Sequence, residues 1–160
     1  MIKDSQPPTL DELDRAILDA LQTDGRISNV ELARRVHLSP PATHARHKRL
    51  EREGFVRQYG ATLDREKAGY DLLCFIHVSL HLHQLDQVEK FRVAIRKIPE
   101  VLECHHITGE YDYLLKVVLR NRKDMENFVV DRLTPLLGVG RIHTSLVLSE
   151  VKSTTALPLK

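Results

Sequence analysis

From residue 72 to residue 82 every even position is apolar: Leu72, Cys74, Ile76, Val78, Leu80 and Leu82. A period of two is the signature of a β-strand with one buried face, because successive side chains of a strand point to opposite sides. A lone strand is not stable in water, so the neighbouring segments must supply further strands and a cover for the buried face. Residues 85–98 carry Val88, Phe91, Ile95 and Ile98 at helical spacing and stop at Pro99. VLECHHIT and YDYLLKVVL are two strand-like runs around Gly109. A helix is expected at about 123–137, with Met125, Phe128, Val129, Leu133 and Leu136 on one side, and GRIHTSLVLSEV is strand again. The order β-α-β-β-α-β is the ferredoxin-like split motif, with both helices on one face of a four-stranded antiparallel sheet. On the other face the first strand presents Leu73, Phe75, His77, Ser79 and His81. A half-apolar face with no helix left to cover it predicts a dimer built sheet against sheet.

The first half follows a helical period. In TLDELDRAILDALQTDG, Thr9 and Glu12 have capping-box spacing, Leu10, Leu13, Ile17 and Leu21 form the stripe, and Asp24-Gly25 ends it. In SNVELARRV, Ser28 and Glu31 suggest a second capping box, with Val30, Ala33 and Val36 as a short apolar stripe. HLS is a tight turn into PPATHARHKRLEREG, where Ser39 caps, Pro40 takes the first helical position and Gly54 suits the C′ position. Three short helices with a three-residue turn before the last make a helix-turn-helix, whose third helix enters the DNA major groove. Leu50 anchors that helix, so Thr43, Arg46 and His47 lie towards the core, while Pro41, His44, Ala45 and Lys48 face away. Ser39 and Thr43, near the helix start, are placed for phosphate or base edges, and Arg35, Arg49 and Arg52 read as phosphate clamps. Base readout is expected to be sparse, with DNA shape supplementing it. A pair of such helices related by a two-fold axis suits a pseudo-palindromic operator in double-stranded DNA.

Charge is distributed unevenly. Residues 1–33 hold Lys3, Arg15 and Arg26 against seven carboxylates, whereas residues 34–57 hold seven Lys/Arg against Glu51 and Glu53. A basic block beside an acidic one suits a polyanion, though charge alone fits a solvated helix face equally well. FVRQYGATL resembles a short strand, and DREKAGYD a polar linker broken at Gly69. The expected division is therefore 1–59 for the helix-turn-helix, 60–70 for strand and linker, 71–152 for a second domain and 153–160 for a tail. The two cysteines, Cys74 and Cys104, form no CxxC pair and read as reduced, buried thiols. No signal peptide or membrane-length apolar run is evident, so a cytoplasmic protein is expected.

LDELDRAILDALQTDGRISNVELARRVHLSP followed by RLEREGFV resembles the helix-turn-helix of Lrp/AsnC regulators, the feast/famine proteins. ECHHITGEYDYLLKV is similar to the strand-turn-strand of their sensing domain, and the likeness runs from about Leu10 to Lys152. It is strongest to the leucine-responsive branch. The resemblance implies an α+β protein: a winged-helix-like helix-turn-helix domain followed by a ferredoxin-like βαββαβ sandwich that binds an effector and oligomerises. It also implies dimers assembling into octamers, or sometimes tetramers, with leucine or another apolar amino acid such as methionine bound between dimers. The residues that align with the effector cleft are Gly109, Glu110, Tyr111 and Asp112 in the turn, Thr134 after the last helix, and Ser145, Leu146 and Val147 in the final strand. Asp112 is suited to the effector's ammonium and the Gly-turn N–H groups to its carboxylate. The plainer reading of Asp112 is a hydrogen bond within its own turn. Two departures are visible. Most relatives carry Gly at His37, where positive φ would mildly strain a histidine, and they favour an apolar residue at His47, which either packs or swings out to phosphate.

Other classes fit less well. His77, His81 and His83 share a strand face and His105 and His106 follow, but no carboxylate or cysteine completes a metal site, and an interface that tolerates imidazoles is the plainer reading. Certain tetrapyrrole decarboxylases share this two-domain layout, yet the basic third helix and the lack of a nucleophile-base pair argue against an enzyme. No catalytic residue, metal or cofactor is assigned beyond the amino acid effector. A small-molecule sensor without DNA is the third class, separated by a mobility shift with promoter DNA.

Overall fold

The computed structural model describes residues 9–81 and 85–159, and these divide into two compact units. One unit runs to Thr62 and takes in the residues from Lys152 onward; the other is Leu63–Val151. The segment beyond 152, expected to be a tail, thus belongs with the helical unit.

The helical unit contains α1 (Glu12–Thr23), α2 (Asn29–Arg35) and α3 (Pro40–Arg52). Its core is Ile17, Leu18, Leu21, Leu32, Val36 and Leu50, with Leu10, Ile27, Leu38, Phe55 and Val56 packed around it. The cap of α1 is not Thr9 with Glu12. Asp11 accepts from the Asp14 N–H at 2.7 Å, and Asp14 returns the bond from the Asp11 N–H at 3.3 Å. Ser28 caps α2 through the Glu31 N–H at 3.2 Å. The reciprocal half of that expected box is replaced, because the Glu31 carboxylate holds Arg34 and Arg35 instead. Leu32, rather than Val30, fills the core from α2: Val30 is 69% exposed. Ser39 caps α3, with Pro40 at its first position, and Gly54 follows at φ +80°. His37, in the turn between α2 and α3, has φ +54°, the left-handed conformation expected there.

Residues 55–63 are not a strand, and no wing forms beside α3. Phe55 and Val56 give their side chains to the helical core instead. A strand needs a ladder partner, and this unit has no strand among the described residues to supply one.

The second unit contains β1 (Leu72–Leu80), α4 (Leu85–Ile95), β2 (Val101–His106), β3 (Tyr113–Leu119), α5 (Arg122–Asn127) and β4 (Val139–Leu146). The strands are antiparallel in the order β2-β3-β1-β4, the expected ferredoxin-like topology. Cys74, Ile76, Val78 and Leu80 are buried, as their alternation requires, among Phe91, Ile95, Tyr113, Leu115, Val117, Phe128 and Leu133. Leu82 and His83 lie outside the described residues. α5 continues as a π-helical turn over Phe128–Leu133. Phe128 and Leu133 are both buried, yet five residues apart they would sit about 140° round an α-helix. The wider turn, closed by the Thr134 N–H on the Val129 carbonyl at 3.0 Å, keeps both on the core side. Cys104 is exposed, correcting the expectation that both thiols are buried, because it sits on the edge strand β2. No helix among the described residues is long and apolar enough to cross a membrane.

Candidate functional site

α3 presents Pro41, His44, Ala45 and Lys48 to solvent, as its periodicity predicts. Ser39 is exposed at the helix start, where its hydroxyl accepts from the Ala42 N–H at 3.4 Å. Arg52 is exposed and has no carboxylate partner among the described residues. Lys48 Nζ rests 2.7 Å from Glu51 and Arg35 Nε 3.2 Å from Glu31; both bonds are on the surface, where water and phosphate compete for them. Arg34 and then Arg35 hold the Glu31 carboxyl down to about 2.

Packing removes one expected contact and engages a second elsewhere. Thr43 is fully buried and its hydroxyl donates to the Ser39 carbonyl at 3.1 Å, so it shapes the helix start and does not reach DNA. Arg49, expected as a phosphate clamp, is paired with Asp14 while about a third of its side chain stays exposed (36%), so its first partner is the buried carboxylate and not open solvent. Asp14 is 1% exposed and is also met by Arg46 Nη1 at 2.9 Å. Arg46 bonds Asp11 as well, at 2.6 Å, and the carboxyl of Asp11 is lowered first by the Asp14 N–H and then by this guanidinium. Asp14 therefore pins α3 to α1 with two arginines. A sequence signal existed: Asp14, Ile17, Leu18 and Leu21 share one helical face, and an acid on a buried face needs cations. His47 packs inward: its Nε2 lies 2.7 Å from the Tyr59 hydroxyl and 3.3 Å from Glu51. Burial, and then Glu51, push the Tyr59 hydroxyl up to about 12.

In the sheet unit, the turn between β2 and β3 is tied at several points. The Ile107 N–H donates to the Asp112 carbonyl at 2.9 Å, and the Asp112 N–H to Val78 at 3.0 Å. The Asp112 carboxylate accepts from the Leu80 N–H at 2.7 Å, so it anchors the turn to the end of β1. Ser79 Oγ donates to the Glu110 carbonyl at 3.3 Å, and Arg141 bonds the Glu110 carboxylate at 2.6 Å. The same guanidinium lies 4.7 Å from the Tyr111 ring centroid. Gly109 has φ +113° and open space on its Cβ side, a conformation that leaves backbone approachable. Arg141 was not singled out from the sequence, although it pairs with Ser79 across the open sheet face.

The other expected effector residues lie elsewhere in the chain. Ser145 pairs with Phe75 and Leu146 with Cys74, while the Val147 N–H donates to Leu73 at 2.9 Å. They stand roughly 13 Å or more along β4 from Arg141. Thr134 ends the π turn, with its hydroxyl on the Val129 carbonyl at 2.8 Å. One chain thus gathers Gly109–Asp112 but not the full set.

Between these groups the open sheet face carries Phe75 and Ser79, half-buried, and a ring cluster. His77 is 5.0 Å from Tyr111 and 5.9 Å from His143, centroid to centroid. Leu73 and Val118 are already buried at one end of that face. Among the described residues no three His, Cys, Asp or Glu are gathered as a metal site would need.

Residues 10–51 match the AsnC-type helix-turn-helix domain, and residues 73–157 match the Lrp/AsnC ligand binding domain. The chain belongs to the Lrp/AsnC family. It is 41% identical over 151 residues to the leucine-responsive regulatory protein of Escherichia coli K12, covering 94% of this chain and 92% of that protein. A transcriptional regulator from Neisseria meningitidis, solved as an L-Met complex, superposes with a TM-score of 0.91 at 46% identity, over 94% of this chain and 97% of that one. Escherichia coli AsnC superposes with a TM-score of 0.86 at 25% identity, over 94% and 99% of the two chains. As an Lrp/AsnC member the protein is a DNA-binding transcription regulator with a ligand-binding domain, and not an enzyme.

Proposed function

We propose that the protein is a cytoplasmic regulator that binds a pseudo-palindromic operator through paired α3 helices, and that leucine or methionine, bound where dimers meet in a tetramer or octamer, modulates it. The outward face of α3 carries the DNA reading. Pro41, His44 and Lys48 face the groove, Ser39 meets phosphate at the helix start, and Arg35 and Arg52 flank it on the backbone. Arg49 and Thr43 are left out for the packing reasons above.

The division of Gly109–Asp112, Thr134 and Ser145–Val147 into separate groups supports a cleft completed by a second subunit. In that cleft the N–H groups around Gly109 meet the effector carboxylate, and Asp112 both anchors the turn and offers charge to the ammonium. Leu146, 45% exposed, supplies apolar surface for the side chain. The names of two relatives, one leucine-responsive and one solved with L-Met, support these two amino acids. Calorimetry tests the reading. Leucine or methionine should bind the wild type, and Asp112→Ala should weaken binding at least about tenfold, the loss of one charge-assisted bond. Undiminished binding to the variant would refute it.

A further inference from the structure

After β4 the chain leaves the sheet unit at Val151 and rejoins the helical unit from Lys152. There the carboxamide of Gln22, on α1, pairs with both backbone groups of Leu157. The Leu157 N–H donates to Gln22 Oε1 at 2.6 Å, and Gln22 Nε2 donates to the Leu157 carbonyl at 3.1 Å. Asp19 Oδ1 accepts from the same Nε2 at 3.3 Å, which orients the amide. Two residues on, Leu159 packs against the cluster of Ile17, Leu18 and Leu21. A side-chain amide that copies a strand's donor-acceptor pair is a seat for one particular stretch of backbone. Yet residues 152–157 fall within the stretch that matches the ligand binding domain. By sequence the segment belongs to the sensing half, and by packing to the DNA-binding half.

We propose that residues 152–159 form a strap that carries the effector state to α1. Ser145–Val147 stand just ahead of the strap, joined to it by the four-residue run 148–151. α1 in turn holds Asp14, on which Arg46 and Arg49 of α3 are fastened. In the proposal, a shift at the end of β4 passes along the chain itself to the strap, and from the strap through α1 and Asp14 to the reading helix. The strap's seat is shallow, with Leu157 67% exposed, as an element that must move requires. The proposal rests on the effector reading above.

The test uses the full-length protein, Gln22→Ala, and a chain ending at Val151. DNA affinity is measured by fluorescence anisotropy with and without saturating leucine or methionine, and amino acid binding by calorimetry. Coupled sites typically change affinity about 5- to 150-fold, and this change should shrink below about twofold in both variants while the amino acid still binds. Gln22 is exposed on a helix that tolerates alanine, so this variant remains informative if the shortened chain does not fold. An effector response of wild-type size in Gln22→Ala would overturn the strap. A wild type that binds neither amino acid would instead refute the effector reading, and the strap with it.

Discussion

His37 is the only described residue other than glycine at positive φ, and it sits in the turn that sets α3 against α2. Left-handed backbone costs an L-residue about 1–2 kcal/mol, while glycine costs about 0.4–1 kcal/mol through the unfolded chain. His37→Gly should therefore be neutral or stabilise by up to about 1 kcal/mol, whereas His37→Val should destabilise by more than about 1 kcal/mol. Urea unfolding measures both; equal destabilisation by the two would mean the turn carries no strain. The positive φ at His37 was foreseen only through the resemblance to Lrp/AsnC proteins, most of which carry glycine at that position. The roles of Arg49 and Thr43 were not, because both side chains lie within reach of either the core or the DNA by periodicity alone. A partner on another helix, Asp14, decides the first, and full burial decides the second.

At the scale of elements, Asp14 makes α1 and α3 one body. Removing a charge partner from a buried pair costs about 3–5 kcal/mol, and since both arginines here are about one-third exposed, solvent screening brings the cost to or below the bottom of that range. Asp14→Ala should thus cost about 2–3 kcal/mol, seen as an earlier unfolding midpoint of the helical unit. Acid should act on the same elements. Asp11 and Glu51 are held below their ordinary values, the first chiefly by the Asp14 N–H and Arg46, the second chiefly by Lys48. Their contribution is present above the ordinary carboxylate range near pH 4 and is lost as pH falls through the lowered values. Thermal unfolding between pH 6 and pH 2.5 should show a falling midpoint below about pH 4, with a shallower fall in Asp11→Asn. An identical pH profile in that variant would exclude Asp11 as a contributor. Element order was readable from period two and period 3.6, since burial imposes those periods directly. The cap at Asp11, the π turn and the missing strand at 55–63 were not, because each depends on a hydrogen-bond partner that pattern does not name.

For the whole molecule, the proposed assembly rests on the open sheet face and on the separation of Gly109–Asp112 from Ser145–Val147. Phe75, half-buried on that face, should be fully covered in a dimer, so Phe75→Glu should shift micromolar protein from dimer or larger to monomer in light scattering. A wild type that is monomeric at that concentration would contradict the assembly. In the proposed dimer two α3 helices would share one DNA, and the outward face meets its most direct test in the salt dependence of binding to a duplex that the protein itself selects from a random pool. Each phosphate contact contributes about 0.9 to the slope of log K against log salt, so losing Arg52 from both subunits should lower it by about 2. Arg52→Ala should show that fall, and Lys48→Ala a fall of similar sign, while Arg49→Ala loses stability with its slope unchanged. Unchanged slopes in Arg52→Ala and Lys48→Ala, with the loss appearing in Arg49→Ala, would place the DNA on another surface.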